Sequence, residues 1–339
     1  MDPRKKISYE VVYPESGSAC FSSFLDYDKS RDEVEINPTP AKTYPYKLDP
    51  FQQKSIDCLE RKESVLVSAH TSAGKTAIAE YAIAMSLRDH QRVIYTSPIK
   101  ALSNQKYRDL EQEFSDVGLM TGDVTISPNA SVLVMTTEIL RSMLYKGSDI
   151  LREVAWVIYD EIHYMRDKER GVVWEESIIL LPDSVRFVFL SATIPNARDF
   201  AGWIAQIHNQ KVNVVYTEYR PVPLQHYLYP TGGDGLFLVI DDKGQFREQN
   251  FAKALAGQGL STLESQVLED KKKKSKKPTE ELQRIVSTVM ERNLDPLIVF
   301  SFSKKDCETY ALLLAKLDFT SADEKKLIQE VETEKPRDV

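Results

Sequence analysis

The sequence is poor in cysteine, and the cysteines it has form no motif. Cys20, Cys58 and Cys307 are the only three in 339 residues, and no Cys-x-x-Cys pair occurs. This excludes zinc ribbons and dithiol redox motifs. The five histidines are equally scattered, without a His-x-x-x-His pair. We therefore expect reduced thiols in an intracellular protein.

Long hydrophobic runs and an excess of positive charge are also lacking. No stretch approaches the roughly 20 apolar residues that cross a bilayer, and the charged start Met1–Lys6 precedes no apolar signal segment. We expect no membrane association. Lys+Arg 44 against Asp+Glu 51 gives a net charge of −7, so composition alone does not predict nucleic-acid binding. A protein that holds a nucleic-acid backbone through loop amides in a local groove remains compatible with this charge.

The chain divides into three regions by pattern. Residues 1–43 are predicted to be an irregular arm with at most one strand, near Tyr9–Tyr13. Residues 44–220 alternate short apolar, β-branched runs with amphipathic stretches, which predicts an α/β domain with a doubly wound parallel sheet. The predicted strands are Ser64–Ser68, Arg92–Thr96, Val117–Met120, Val132–Thr136, Val154–Tyr159, Val185–Leu190 and Val212–Tyr216. The predicted helices are Lys75–Arg88, Leu102–Phe114, Thr137–Tyr145, Val172–Leu181 and Ala197–His208.

Residues 221–339 are predicted to be a linker and the opening of a second α/β domain. Pro221 and Pro223 mark the linker. The predicted elements are strands at Gln225–Tyr229 and Leu236–Ile240, a helix at Glu280–Arg292, a buried strand at Pro296–Phe302 and a helix at Lys304–Leu317. A lysine-rich stretch near 259–279 is either an RNA-binding tail or a solvated, disordered insertion, and its composition favours the insertion. The strands are too few to complete a sheet, so we expect a fragment of a longer protein.

The segment Ala69-His70-Thr71-Ser72-Ala73-Gly74-Lys75-Thr76 has the pattern of a phosphate-binding loop. It lies between a predicted strand and a predicted helix, where loop N–H groups and the helix N-terminus converge on phosphate. In this interpretation Lys75 contacts the β- and γ-phosphates, Thr76 offers its hydroxyl to Mg²⁺, and Gly74 allows close backbone approach. The loop departs from the usual pattern because Ala69 replaces the first glycine. A chance Gly-Lys-Thr at a helix start is the alternative.

An acidic pair followed by a histidine, Asp160-Glu161-Ile162-His163, ends the strand Val154–Tyr159. The carboxyl ends of parallel strands carry the ligand sites of α/β sheets. We predict that Asp160 holds Mg²⁺, that Glu161 orients and deprotonates the attacking water, and that His163 links the nucleotide site to the rest of the protein. The alternatives are a surface pair that caps the next helix and, for His163, an ordinary polar neighbour.

With Ser191-Ala192-Thr193 at the end of a further strand, these motifs resemble superfamily-2 DExH-box helicases. Between about Tyr44 and Phe319 the chain most resembles the eukaryotic nuclear branch that serves the RNA exosome and the poly-adenylating surveillance complex. The resemblance implies a RecA-like fold of the P-loop NTPase type, with ATP and Mg²⁺ as cofactors. It also implies that Tyr46 stacks on adenine, that Gln52 reads its edge, and that Ser191, Ala192 and Thr193 couple nucleotide state to strand binding.

Three further segments resemble the family's strand-contacting motifs. Hydroxyls, amides and helix N-termini can hold phosphates without reading bases, as translocation along any sequence requires. The implied contacts are Ser97, Pro98, Lys100, Asn104, Gln105, Thr121, Gly122, Thr136, Thr137 and Glu138. The segment Arg166–Gly171 lies in the block that most resembles the exosome-linked branch. Val299–Ser303 resembles the first motif of a second motor domain.

The resemblance implies a monomeric motor of the nucleus, in nucleolus and nucleoplasm. It would unwind structured or single-stranded RNA 3′ to 5′ for the exosome and its poly-adenylating partner subunits. The motifs with the arginines that reach the γ-phosphate are absent, so we expect this chain to bind nucleotide and hydrolyse it poorly. Two alternatives stay open. One is a cytoplasmic exosome helicase or a DNA repair helicase of the same superfamily, and the other is a truncated nucleotide- or RNA-binding module without turnover.

Overall fold

A computed structural model describes residues 7–14, 39–230, 235–256, 278–315 and 317–334. The chain forms two compact units, Met1–Val222 and Pro223–Val339.

The first unit is built on a nine-stranded sheet in the order β1-β9-β2-β8-β7-β3-β6-β4-β5. Strands β2, β8, β7, β3, β6 and β4 run parallel to one another and to β9, whereas β1 and β5 pair antiparallel at the two edges. The strands are β1 Ile7–Val12, β2 Ser64–Ser68, β3 Arg92–Ser97, β4 Val117–Met120, β5 Thr125–Ile126, β6 Val132–Thr136, β7 Val154–Tyr159, β8 Arg186–Ser191 and β9 Val212–Thr217. The prediction of an α/β fold with a mostly parallel sheet is confirmed.

Helices cover both faces of this sheet. They are α1 Pro50–Glu60, α2 Thr76–Arg88, α3 Lys100–Glu111, α4 Thr137–Lys146, α5 Gly171–Ile179 and α6 Ala197–His208, with 3-10 helices at Asp149–Glu153 and Ile162–Arg166. Successive strand residues alternate between two cores, since Val65 and Val67 pack with α1–α3 while Leu66 packs with α4–α6. All three are fully buried. A strand covered on both faces must be apolar at every position, which is the pattern that the sequence carries.

The seven strands predicted between residues 64 and 216 match the observed ones to within one residue at either end. Helix α3 begins two residues before, and ends three residues before, its predicted bounds. The strand expected near Tyr9–Tyr13 lies at Ile7–Val12 and extends the sheet by pairing with β9. Helix α1 and the two-residue strand β5 were not predicted. Residues 1–6 and 15–38 of the predicted arm lie outside the described residues.

The second unit contains a two-stranded antiparallel sheet, β10 His226–Leu228 with β11 Phe237–Ile240. Its helices are α7 Glu248–Ala256, α8 Pro278–Glu291, α9 Lys304–Leu314 and α10 Ala322–Glu334. The predicted strands Gln225–Tyr229 and Leu236–Ile240 and both predicted helices have observed counterparts. Most of the lysine-rich stretch near 259–279 lies outside the described residues.

The prediction of a buried strand at Pro296–Phe302 is wrong. The segment forms neither helix nor strand, and Ile298, Phe300 and Phe302 are 87%, 80% and 101% exposed. The reason is the lack of partners: among the described residues of this unit, no strand forms a hydrogen-bonded ladder with it. No helix in the described ranges has the length and apolar content to cross a membrane.

Candidate nucleotide and RNA site

The sheet topology gathers the predicted motifs at one edge. Because β2, β8, β7, β3 and β6 are consecutive parallel strands, their carboxyl ends meet on the same side. The phosphate loop follows β2, the acidic pair follows β7, and Ser191 ends β8. The segments that begin at Ser97 and Thr136 follow the register-paired ends of β3 and β6. Spacing in sequence did not reveal these adjacencies, which come from the strand order.

The phosphate loop is closed around the lysine. Lys75 Nζ donates to the carbonyl oxygens of Ala69 and His70 at 2.9 and 3.1 Å, and the side chain is buried. Within the described part of the chain, the backbone N–H groups of Thr71, Ser72 and Gly74–Thr76 donate to no protein acceptor. These groups lie at the N-terminus of α2, where the helix dipole also favours an anion.

Positions 69 and 74 of the loop, where the usual pattern has glycine, differ in their need for it. Ala69 has a negative φ and its methyl group is fully buried in the core, so glycine is not required there. Gly74 has a φ of +88°, and a Cβ on it would lie 2.7 Å from Gln52 Nε2. The backbone conformation therefore favours glycine at position 74, and a side chain there would also displace the Gln52 amide.

Gln52 attaches α1 to this loop. Its Oε1 accepts from the backbone N–H of Asp49 at 2.8 Å, and its Nε2 donates to the Gly74 carbonyl at 2.9 Å. The amide is buried, whereas Tyr46 is 54% exposed, with its ring 5.5 Å from that of Tyr44. Of the two residues predicted to hold adenine, Gln52 thus adjoins the phosphate loop, and the oxygen and nitrogen of its amide each retain one further hydrogen-bonding position.

The acidic pair is oriented by its neighbours. Asp160 Oδ2 accepts from the buried Tyr95 hydroxyl at 2.5 Å, and Oδ1 accepts from the Glu161 N–H at 3.0 Å. Glu161 has a φ of +52°, a left-handed conformation that is costly for a non-glycine residue and is typical of functional sites. His163 Nδ1 lies 3.3 Å from Glu161 Oε2, so this histidine contacts the predicted catalytic carboxylate directly.

The charges of the two motifs act on each other. Burial lowers the pKa of Lys75, while the carboxylates of Glu161 and Asp160 oppose that shift. Burial and the positive charges of Arg220 and Lys75 lower the pKa of His70. Burial and Asp160 together keep the pKa of Tyr95 well above its usual value. Tyr95 is therefore a neutral hydrogen-bond donor to Asp160, and Asp160 remains the acceptor.

The residues present fit a nucleoside triphosphate with Mg²⁺. The unengaged N–H groups of the loop can donate to phosphate oxygens. The Thr76 hydroxyl is at the exposed start of α2, and Lys106 Nζ lies 3.5 Å from it. Each Asp160 oxygen keeps a free lone pair. Mg²⁺ usually takes one or two protein ligands and completes its shell with water and phosphate oxygens, which matches a pair made of Thr76 and Asp160.

The triplet Ser191-Ala192-Thr193 contacts the strand that feeds the phosphate loop. The Ser191 carbonyl accepts from the Ala69 N–H at 3.1 Å, and Ser68 Oγ lies 3.5 Å from the Ala192 carbonyl. Ser191 Oγ is buried and makes no hydrogen bond in the described part of the chain. Thr193 is half-buried beside them. The triplet is thus joined to the start of the loop by one backbone bond and to the end of β2 by one side-chain contact.

The segment after β3 is anchored from within. The hydroxyls of Ser97 and Ser103 lie 2.6 Å apart in the core, so Ser97 offers its backbone rather than its side chain to a ligand. Asn104 Oδ1 is buried without a partner in the described ranges, Pro98 is buried, and Lys100 and Gln105 are exposed. Lys100 Nζ donates to Asp123 Oδ2 at 2.6 Å, which joins this segment to Thr121-Gly122-Asp123.

The remaining predicted contacts follow β4 and β6. Thr121 is buried, and its Oγ1 accepts from the Val124 N–H at 3.2 Å, while Gly122 lies against Lys100. Thr136 and Thr137 are buried, and Thr137 Oγ1 has no partner among the described residues. Glu138 is half-buried in the first turn of α4. Thr121, Thr136 and Thr137 are thus more enclosed than exposed phosphate contacts would be.

Sequence reasoning missed three residues of this site: Tyr95, Lys106 and Arg170. Arg170 pairs with Glu138 and donates to the Pro98 carbonyl. The spacing of residues in the sequence gives no signal for these contacts. Each of the three residues meets a partner that lies far away in the chain.

Residues 49–200 match the family model described as DEAD/DEAH box helicase. These residues are a DEAD/DEAH box helicase domain. The resemblance to DExH-box helicases is confirmed. The chain is 64% identical over 293 residues to "Exosome RNA helicase MTR4" of Homo sapiens, with 86% of this chain and 28% of that protein covered.

Two other relatives are similar to the chain at equal or lower identity. The chain is 63% identical over 298 residues to "ATP-dependent RNA helicase mtr4" of Schizosaccharomyces pombe, covering 85% of this chain and 27% of that protein. It is 46% identical over 312 residues to human "Superkiller complex protein 2", covering 88% of this chain and 25% of that protein. The chain thus spans less than a third of the length of these relatives.

Proposed function

We propose that this chain is the nucleotide-binding part of an ATP-dependent RNA helicase that acts with the RNA exosome. The observation that carries the proposal is the arrangement at the carboxyl edge of the sheet. There a buried lysine in a loop of unengaged N–H groups faces an oriented pair of carboxylates. ATP would be the substrate of this edge.

In this proposal the loop and Lys75 bind the triphosphate. Donation from several N–H groups and one buried ammonium compensates the phosphate charge at low dielectric. Tyr46 would stack on the adenine ring and Gln52 would bond its edge with the two positions it keeps. Thr76 and Asp160 would hold Mg²⁺, which when bound neutralises developing phosphate charge.

Glu161 would be the general base for the attacking water. Its left-handed backbone sets the direction of the carboxylate, and His163 beside it restrains the side chain. Ser191, Ala192 and Thr193 would transmit the nucleotide state. In support, the Ser191 carbonyl accepts from the Ala69 N–H of the loop, and the Ala192 carbonyl lies 3.5 Å from the Ser68 hydroxyl at the end of β2.

The strand-binding role falls to the loops after β3, β4 and β6. Lys100, Asn104, Gln105, Gly122 and Glu138 would contact the sugar-phosphate backbone. The buried supports would be Ser97, Pro98, Thr121, Thr136 and Thr137. Contacts of this type carry no sequence information, so the protein would translocate 3′ to 5′ along any RNA. We propose residues 44–220 as the first RecA-like domain and 221–339 as linker and part of a second.

The partner and location are proposed on the relatives. The human relative is named an exosome RNA helicase and the fission yeast relative an ATP-dependent RNA helicase. The sequence identity of this chain to these two proteins is higher than its identity to human Superkiller complex protein 2. This favours the nuclear exosome branch, with poly-adenylating complex subunits as further partners, over a cytoplasmic exosome helicase. We also propose a monomeric motor.

The test is ATP hydrolysis with and without single-stranded RNA, for this chain and for a version extended to the length of these relatives. Little turnover in the chain and RNA-stimulated turnover in the extended version are expected. Stimulation by DNA of equal length instead would indicate a DNA helicase, since only RNA offers the 2′-hydroxyl. If both versions bind nucleotide without hydrolysing it, the protein is a binding module and the proposed ATPase is wrong. If both versions hydrolyse ATP equally and independently of RNA, the helicase mechanism is contradicted.

A further inference from the structure

The backbone that follows the acidic pair is held in one conformation. Asp167 Oδ1 accepts the N–H groups of Arg170 and Glu169 at 2.9 and 3.0 Å, and these two bonds lower the pKa of Asp167. The Gly171 N–H donates to the Asp167 carbonyl at 2.8 Å. A Cβ on Gly171 would lie 2.3 Å from the Met165 carbonyl oxygen. The turn 167–171 is therefore tightly fixed, and Arg170 starts from a defined position.

From that position the Arg170 guanidinium bridges two other loops. Its Nη2 donates to the Pro98 carbonyl at 2.6 Å and also contacts Glu138 Oε1. An Nη2 atom carries two N–H bonds, so both acceptors can be served at once. The guanidinium carbon lies 5.8 Å from the ring centroid of the fully buried Trp174. This cation–π contact also helps to fix the position of the Arg170 side chain.

The three connected loops come from neighbouring strands. β7, β3 and β6 are consecutive in the sheet. The acidic pair follows β7, Pro98 follows β3 and Glu138 follows β6. One side chain thus connects the stretch after the predicted base Glu161 to both segments proposed to hold the strand.

The exposure of the bridge points to orientation rather than to fold stability. The Arg170 and Glu138 side chains are 40% and 41% exposed, and ion pairs at such positions contribute little to the free energy of unfolding. The planar fork of arginine is nevertheless suited to fixing two acceptors in one geometry.

We propose that Arg170 is a positioning residue that couples the acidic pair to the strand-binding loops. The proposal rests on the proposed RNA-dependent ATPase. Arg170 acts by holding the Pro98 loop and Glu138 in the arrangement that binds the RNA backbone. Its loss would weaken RNA engagement without altering the nucleotide pocket itself.

The experiment compares Arg170→Ala with Arg166→Ala in the full-length protein. Arg166 lies in the same segment, but its guanidinium contacts Asn196 at 3.3 Å and neither loop. ATP hydrolysis is measured against RNA concentration, and binding of a fluorescent ATP analogue is measured separately. We expect Arg170→Ala to raise the KM for RNA about tenfold, an effect typical of coupling residues, and to change kcat at saturating RNA and analogue affinity much less. Arg166→Ala should match the unsubstituted protein.

Two further variants separate a specific bridge from general damage. Glu138→Ala removes the acceptor at the other end of the bridge. Because Glu138 is also proposed to contact RNA, it should raise the KM for RNA by itself, but by a smaller factor in the Arg170→Ala background than in the unsubstituted protein. Arg170→Lys keeps the charge and should recover part of the RNA affinity. Additive effects in the double variant, or an Arg170→Ala protein indistinguishable from Arg166→Ala, would overturn the bridge. An unsubstituted protein without RNA stimulation would instead overturn the proposed function, and the coupling role with it.

Discussion

Strand β7 of the first unit and the segment 296–302 of the second have the same kind of sequence, apolar and β-branched, yet they lie in opposite surroundings. Val157, Ile158 and Tyr159 are fully buried, whereas Ile298 and Phe300 are 87% and 80% exposed. The difference lies in the neighbours. β7 is bonded to β8 on one side and β3 on the other, whereas no described strand of the second unit pairs with 296–302. An apolar run becomes a buried strand only where neighbouring strands pair with it by hydrogen bonds.

The largest expected effect tests this contrast through two phenylalanines. Phe189 of β8 is fully buried, stacked on Tyr159 and Phe187 with centroids 5.4 Å apart in both pairs. Phe189→Ala should lower the free energy of unfolding of the first unit by about 3–5 kcal/mol, through lost burial and a residual cavity. Phe300→Ala should change stability by less than about 0.5 kcal/mol. Denaturant unfolding measures both, and equal losses would contradict the contrast.

The contrast also shows what a sequence can predict. The strands of the first unit were predictable because each is flanked by sequence that provides its own covering helices. The strand predicted at 296–302 is not formed, because an apolar pattern is a local signal and says nothing about whether partner strands are present. Helix α1 was missed although Asp49 and Gln52 form its capping box and Pro50 is its first residue, a start signal that is readable from sequence.

The candidate site divides in the same way. Lys75, Asp160 and Glu161 could be proposed from the sequence because nucleotide chemistry calls for those residue types at the carboxyl ends of parallel strands. The contacts of Arg170 with Pro98 and Glu138, and of Gln52 with Gly74, depend on loops that approach in space. Residue spacing carries no information about such pairs, and the burial of Thr136 and Thr137 was equally invisible.

A second prediction asks whether the chemistry is confined to the first unit. Glu161→Gln keeps the shape of the side chain but cannot accept the proton of water, so kcat in the extended protein should fall by about a thousandfold. Affinity for a fluorescent ATP analogue should persist. Glu308→Gln in α9, an exposed glutamate of the second unit, is the matched control and should leave kcat unchanged. Normal turnover by Glu161→Gln would refute the assignment of the base.

A third prediction concerns nucleotide affinity. Lys75→Ala removes a buried ammonium from the phosphate loop and should weaken binding of the ATP analogue roughly 10- to 100-fold, the range for a lost charged hydrogen bond. Lys304→Ala in the second unit, where the side chain is 92% exposed, should leave affinity unchanged. Titration of this chain by fluorescence anisotropy distinguishes them, and equal affinities would place the triphosphate elsewhere.

The smallest effect is the pH dependence of that affinity. Burial lowers the pKa of Lys75 below that of an ordinary lysine, and bound phosphate would raise it again by favouring the charged form. The lysine contribution is therefore complete below the pKa of the free protein. As pH rises from that pKa towards the higher pKa of the complex, affinity should fall about tenfold per pH unit, since one proton is linked to binding. An exposed lysine would start this decline only near its usual pKa of about 10.4.

Analogue affinity measured between pH 7 and about 10 should thus begin to fall early in the unsubstituted chain and stay level in Lys75→Ala, because that variant has lost the titrating group. An equal slope in both proteins would assign the pH dependence to another group of the site.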